Sequence, residues 1–131
     1  MSEAIPSVVI IDDETDLADL LVEAFEDQGF SATSYASGND FLDKFPAGRL
    51  PSVMIVDDRM PGLSGPESLQ KACKNQSPSP ICYLMTGDMQ FEEMGGDASL
   101  ARQIFYKPFD PYELVEAIQR DLDARKLVRS S

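Results

Sequence analysis

The 131-residue chain contains no histidine and only two cysteines, and its 11 basic residues are outnumbered by 23 acidic ones. Without histidine there is no Ser-His or Cys-His nucleophile pair, no histidine zinc site and no imidazole general base. Chemistry must then rest on carboxylates, lysine, hydroxyls or a bound metal. A formal charge of −12 repels phosphate backbones and anionic lipid, which argues against direct binding to nucleic acid or membrane. Cys73 and Cys82 fall in a predicted helix and a predicted strand without metal-ligand spacing. They read as buried free thiols rather than a disulfide framework. No apolar run approaches the roughly 18 residues of a membrane span. The opening MSEAIPS is polar and acidic, unlike a secretion signal, so a cytoplasmic location is expected.

Short apolar runs alternate with helical patterns. SVVII (7–11), VMIV (53–56) and ICYLM (81–85) are continuous, as strands covered on both faces should be, and FSATSY (30–35) and QIFYK (103–107) are weaker strand signals. Leu17, Leu20, Leu21, Ala24 and Phe25 form one helical stripe that Gly29 can end. Ser37 can cap a second helix carrying Phe41, Leu42 and Phe45, which must stop before Pro46 and a loop with Gly48 and Pro51. Ser64 and Glu67 have capping-box spacing for a third helix. Asp110-Pro111-Tyr112-Glu113 opens a last helix with Leu114, Val115, Ile118 and Leu122 on one face and Arg125, Lys126 and Arg129 near its negative end. The fourth helix, between the last two strands, should be short, split or mobile, because Gly95-Gly96 costs roughly 1 kcal/mol per glycine relative to alanine.

Five strands alternating with about five helices predict a doubly wound, flavodoxin-like (βα)5 sandwich with parallel strand order 2-1-3-4-5, a single domain over residues 1–131 with an ordered core at about 7–127. In such a sheet ligands bind beyond the carboxyl ends of the strands where the order reverses, here between strands one and three. Strand one ends in Asp12-Asp13-Glu14 and strand three in Asp57-Asp58. Two carboxylates about 4 Å apart repel by roughly 4 kcal/mol at an effective dielectric of 20, so the cluster calls for a cation, and its hard oxygen donors suit Mg2+. Taken singly, each acid could merely solvate a strand end or cap a helix. Strand four, however, runs into Met85-Thr86-Gly87 and strand five into Lys107-Pro108-Phe109, adding a hydroxyl and an ammonium at the same rim. Together they describe a site for a transferred phosphoryl group.

VVIIDDE, VDDRMPGLSG, MTG and YKPF, in this order and spacing, resemble the receiver domain of two-component response regulators from Ser7 to about Leu127. The resemblance implies that Asp57, three residues before Met-Pro, accepts a phosphoryl group from a phosphohistidine of a sensor histidine kinase or histidine phosphotransfer protein. It also implies Mg2+, with Mn2+ as an alternative, held by Asp13, Asp57 and the Arg59 backbone carbonyl, with Asp12 holding water on the ion. Lys107 should pair with Asp57, the Thr86 hydroxyl should turn toward the phosphoryl group, Lys107-Pro108 should be cis, and Gly87 should leave access open. Strand alternation points Asp58 away from Asp57 and makes it a bystander.

Receivers commonly carry a switch aromatic three residues before the lysine, where this chain has Ile104. Phe105 falls on the opposite strand face and reads as core. The switch is therefore expected to act by ordering residues 88–102 rather than by an aromatic swing. The expected role is a phosphoacceptor switch, not an enzyme, controlling a downstream protein or output domain; the sequence ends soon after the last helix, with no output domain expected within it. The alternative is a phosphorylation-independent interaction module on the same scaffold.

Overall fold

The structure, a computed structural model, describes residues 5–45, 49–74 and 79–130, with side chains to residue 125. Pro46, Gly48 and the side chains of Lys126 and Arg129 lie outside them. In chain order the elements are β1 (Ser7–Ile11), α1 (Thr15–Asp27), β2 (Ser31–Tyr35), α2 (Gly38–Lys44), β3 (Val53–Asp57), α3 (Gly65–Cys73), β4 (Ile81–Thr86), β5 (Gln103–Tyr106) and α4 (Pro111–Ser130). All five strands are parallel, in the order β2-β1-β3-β4-β5.

The sheet is covered on both faces, which explains why its central strands are continuously apolar. Val8, Ile10, Val53, Ile55, Tyr83, Met85 and Phe105 face α1 and α4, whereas Val9, Ile11, Met54, Val56, Cys82 and Leu84 face α2, α3 and the β4–β5 connection. Phe105 is buried against Tyr83 and Phe109, and Ile104 packs on the other face, as alternation requires. Tyr83, wholly buried, donates its hydroxyl to Asp121 Oδ2 at 2.6 Å and so ties β4 to α4. Cys73 and Cys82 are both free thiols, their sulfurs 3.8 Å apart; Cys82 is buried and Cys73 only partly so.

The helix signals are realised locally. Gly29, at φ +90°, closes α1: its N–H reaches the Glu26 carbonyl and that of Phe30 reaches the Phe25 carbonyl, while the Phe25 and Phe30 rings meet edge to face. Ser37 Oγ accepts the Asp40 N–H at 3.0 Å, and Ser64 and Glu67 form both halves of a capping box. Asp110 Oδ1 accepts the Tyr112 N–H at the start of α4. Leu20 departs from the expected stripe, being 54% exposed; the buried line is Ala18, Leu21, Ala24 and Phe25.

The larger departure is between β4 and β5, where the described residues form no α-helix, leaving four helices instead of about five. One turn starts where the Asp88 side chain accepts the Gln90 N–H and closes at Gly95, φ +90°, with the Gly95 N–H on Glu92 and the Gly96 N–H on Phe91. The glycine pair thus terminates a single turn rather than interrupting a helix. A side chain on Gly96 would stand 2.5 Å from the ring of Phe91, which this turn buries against the sheet.

Candidate functional site

Strand register assembles the site. Ile11 pairs with Val56, Asp57 with Met85 and Thr86 with Tyr106. Asp12 and Asp57 therefore emerge at one level between β1 and β3, with Thr86 and Lys107 beside them at the ends of β4 and β5. A cleft of about 550 Å3 opens there, lined by Asp13, Glu14, Asp57, Asp58, Arg59, Thr86, Gly87, Asp88 and Lys107.

Lys107 is the cation that meets Asp12 and Asp57. Its Nζ lies 2.7 Å from Asp57 Oδ1, 3.1 Å from Asp12 Oδ2 and 3.5 Å from Glu14 Oε1. The Lys107 N–H donates to the Thr86 carbonyl at 2.8 Å, and Lys107-Pro108 is cis. Asp57 Oδ2 accepts the Arg59 N–H at 3.2 Å, and Asp12 Oδ1 accepts the Glu14 N–H at 2.9 Å. Burial pushes the Asp57 pKa up from 3.8 to about 6, a rise that the hydrogen bond from Lys107 opposes and the charge of Asp12 reinforces. Asp12 is also raised, again by burial, against the Glu14 N–H and Lys107. Burial alone would lower Lys107, but its bonds to Asp57 and Asp12 outweigh that and raise it. The ion pair thus favours both charged forms, while the cost of desolvation falls on the more deeply buried carboxylates.

One ammonium does not neutralise this cluster. Oxygen atoms of Asp12, Asp13 and Asp57 lie within 4.8 Å of one another, with Asp13 exposed at the mouth. Three hard carboxylate donors on an open cleft fit Mg2+, which keeps part of its water shell and takes phosphate oxygens.

The predicted residues Asp12, Asp13, Asp57, Arg59, Thr86 and Lys107 are all brought together, and an added side-chain carbon at Gly87 would meet open space. Asp58, expected from strand alternation to be a bystander, lies in the site. It is 8% exposed, lines the same cleft, and its Oδ2 accepts the Thr86 hydroxyl at 2.9 Å. β3 ends at Asp57, so alternation does not extend to the next residue, whose N–H bonds to the Met85 carbonyl and leaves it level with Thr86. The register that pairs Asp57 with Met85 sets Asp58 one step on, beside Thr86. Arg59 Nη2 meets Asp88 Oδ2 at 3.1 Å across the mouth.

Residues 8–119 match the response regulator receiver domain family, and the chain belongs to that family. It is 31% identical over 115 residues to the transcriptional regulatory protein YkoG of Bacillus subtilis, covering 88% of this chain and 50% of that one. It is 32% identical to the C4-dicarboxylate transport transcriptional regulatory protein DctD of Rhizobium meliloti, covering 95% of this chain and 27% of that one. The chain thus spans about half the length of one relative and about a quarter of the other. Among solved structures, a CheY-like receiver domain from Methanospirillum hungatei superposes with a TM-score of 0.81 at 25% identity, over 94% of this chain and 98% of that one. The response regulator TrrA from Thermotoga maritima, in complex with Mg2+ and BeF, gives 0.75 at 25% identity, over 88% and 98%. The chain is therefore a receiver domain of the two-component response regulators, a family that is phosphorylated on aspartate and binds Mg2+ in its acidic pocket.

Proposed function

We propose that Asp57 is the phosphoacceptor. The supporting observation is its carboxylate, anchored by Lys107 at 2.7 Å and by the Arg59 N–H, at the floor of an acidic cleft open to a partner. A carboxylate oxygen of Asp57 forms a bond to phosphorus as the P–N bond of a phosphohistidine breaks; the imidazole leaves with that electron pair and takes a proton from solvent. The donor imidazole belongs to a sensor histidine kinase or a histidine phosphotransfer protein, since this chain has no histidine. Mg2+, or Mn2+ in its place, would be held by Asp13, Asp57 and the Arg59 carbonyl, with Asp12 behind, and would neutralise charge on the phosphoryl oxygens.

Lys107 then moves from the free carboxylate to the phosphoryl group, and the Thr86 hydroxyl donates to it. Thr86 Oγ1 also accepts the Asp88 N–H at 3.0 Å, so its movement pulls on the first residue of the 88–102 segment. That linkage supports output through this segment to a downstream protein or output domain, with the half-buried Ile104, packed against the core, taking no part in an aromatic swing. The chain acts as a cytoplasmic phosphoacceptor switch that takes part only in its own phosphorylation and dephosphorylation.

Intact-mass measurement after incubation with acetyl phosphate tests this reading. One phosphoryl group should be gained in the presence of Mg2+ and none without Mg2+ or in Asp57→Asn. Uptake that survives Asp57→Asn would assign another acceptor, and no uptake by a Mg2+-binding chain would favour the phosphorylation-independent module.

The Arg59–Asp88 pair, with Arg59 79% exposed, contributes little to stability. Its place across the mouth supports control of the water that hydrolyses phospho-Asp57. Arg59→Ala and Asp88→Ala should each change the phospho-Asp57 lifetime about twofold or more, with Arg59→Ala moving stability by less than about 0.5 kcal/mol and Asp88→Ala, which also removes the acceptor of the Gln90 N–H, costing about 1 kcal/mol. Unchanged lifetimes in both, followed by mass spectrometry, would remove the pair from the mechanism.

A further inference from the structure

The Thr86 hydroxyl has one proton, and Asp58 holds it. Thr86 is 1% exposed and Asp58 8%; the hydroxyl donates to Asp58 Oδ2 at 2.9 Å while accepting the Asp88 N–H at 3.0 Å. Asp58 is itself fixed, its N–H on the Met85 carbonyl at 2.8 Å and its carbonyl accepting the Gly65 N–H at 3.1 Å. Arg59 Nε lies 3.8 Å from Asp58 Oδ2 on the solvent side. A hydroxyl with one proton donates to one strong acceptor at a time. A hydrogen bond to a carboxylate is roughly twice as strong as one between neutral groups.

We propose that Asp58 is a positioning residue that latches Thr86 in the resting conformation, so that a phosphoryl group on Asp57 must win the hydroxyl proton from it. This rests on the phosphoacceptor reading above. A phosphoryl group and the Asp58 carboxylate are rival anionic acceptors about a single donor. The balance between them sets how far phosphorylation shifts the chain, since a ligand shifts a two-state equilibrium only by its differential interaction with the two states. The latch also reaches the 88–102 segment, because the same hydroxyl oxygen carries the Asp88 N–H.

The test is calorimetric titration of the Mg2+-loaded chain with beryllium fluoride as the phosphoryl mimic, on wild type, Asp58→Leu, Asp58→Asn and the same set in a Thr86→Ala background. Asp58→Leu removes acceptor and charge, whereas Asp58→Asn removes the charge but keeps an acceptor oxygen. Asp58→Leu should bind about tenfold tighter than wild type, equal to about 1.4 kcal/mol, and Asp58→Asn should stay within about threefold. In the Thr86→Ala background the Asp58→Leu effect should fall below about twofold, as coupling through one hydrogen bond requires.

Equal tightening by Leu and Asn that persists without the hydroxyl would overturn the latch in favour of simple charge repulsion. Binding of beryllium fluoride by wild type with no change in Asp58→Leu would overturn the latch and leave the phosphoacceptor reading standing; no binding by wild type would overturn both. Thr86 side-chain rotamer couplings in wild-type protein give an arm free of folding effects. The rotamer should change when beryllium fluoride joins Mg2+, and an unchanged rotamer sinks the proposal.

Discussion

Asp57→Asn is expected to stabilise the metal-free chain by about 3 kcal/mol at about pH 7.5 and by only about 0.5 kcal/mol near pH 4. The ordinary carboxyl value of 3.8 rises to about 6 in the folded chain because Asp57 is buried, and that difference corresponds to about 3 kcal/mol between its neutral and ionised forms. The sign follows from the raised value. The folded chain binds the Asp57 proton more tightly than the unfolded one, so this stabilisation is complete below about 3.8 and is lost as pH rises through about 6. Asparagine is neutral and of the same shape, so it keeps throughout what the wild type has only in acid. Urea unfolding in EDTA at both pH values measures the gap. Added Mg2+ should narrow it, because the ion stabilises the native wild-type site by mass action and the variant lacks one of the three carboxylates. A gap independent of pH would mean that burial of the charge is not the source of the strain.

Much of this site could be read from the sequence, for a geometric reason. In a parallel sheet with short connections, strand ends fall on one rim, and each functional residue here lies at or just beyond the last paired residue of its strand: Asp12 after Ile11, Asp57 beside Met85, Thr86 beside Tyr106, Lys107 after it. Continuous apolar runs then mark where the rim is. Three features escaped that logic. Asp58 lies one residue past the end of β3, where the period of two no longer applies and a backbone hydrogen bond to Met85 decides its direction. Leu20 fits the helical spacing of α1 but not the direction of the core, which takes Ala18, Leu21, Ala24 and Phe25 and leaves Leu20 54% exposed. The β4–β5 connection has enough residues for a helix, yet Gly95 in the left-handed region and Phe91 packed against Gly96 close it after one turn. In each case a tertiary contact or a single dihedral overrides the local pattern.

Lys107→Met should produce the opposite effect to Asp57→Asn, a loss of about 3–5 kcal/mol at about pH 7.5 in the absence of metal. Methionine keeps the aliphatic stem, so the change isolates the ammonium. Its removal strands the Asp57 carboxyl, 2.7 Å away, and the wholly buried Asp12 side chain, 3.1 Å away, without a counter-charge. Both acids are already raised by burial, so acid should relieve the defect: the loss shrinks as pH falls below about 6, where Asp57 takes up a proton. In an Asp57→Asn background the loss should shrink by at least about 1 kcal/mol, since the two residues share one ion pair and their effects cannot add. Mg2+ should stabilise Lys107→Met more than wild type, because the divalent ion supplies the charge that the lysine had provided. Thermal melts of the four chains with EDTA and with Mg2+ decide the matter. Additive losses with no Mg2+ preference would show that Lys107 matters through packing, whereas coupling with Mg2+ rescue identifies it as the standing counter-ion of a site built around more negative charge than one lysine can hold.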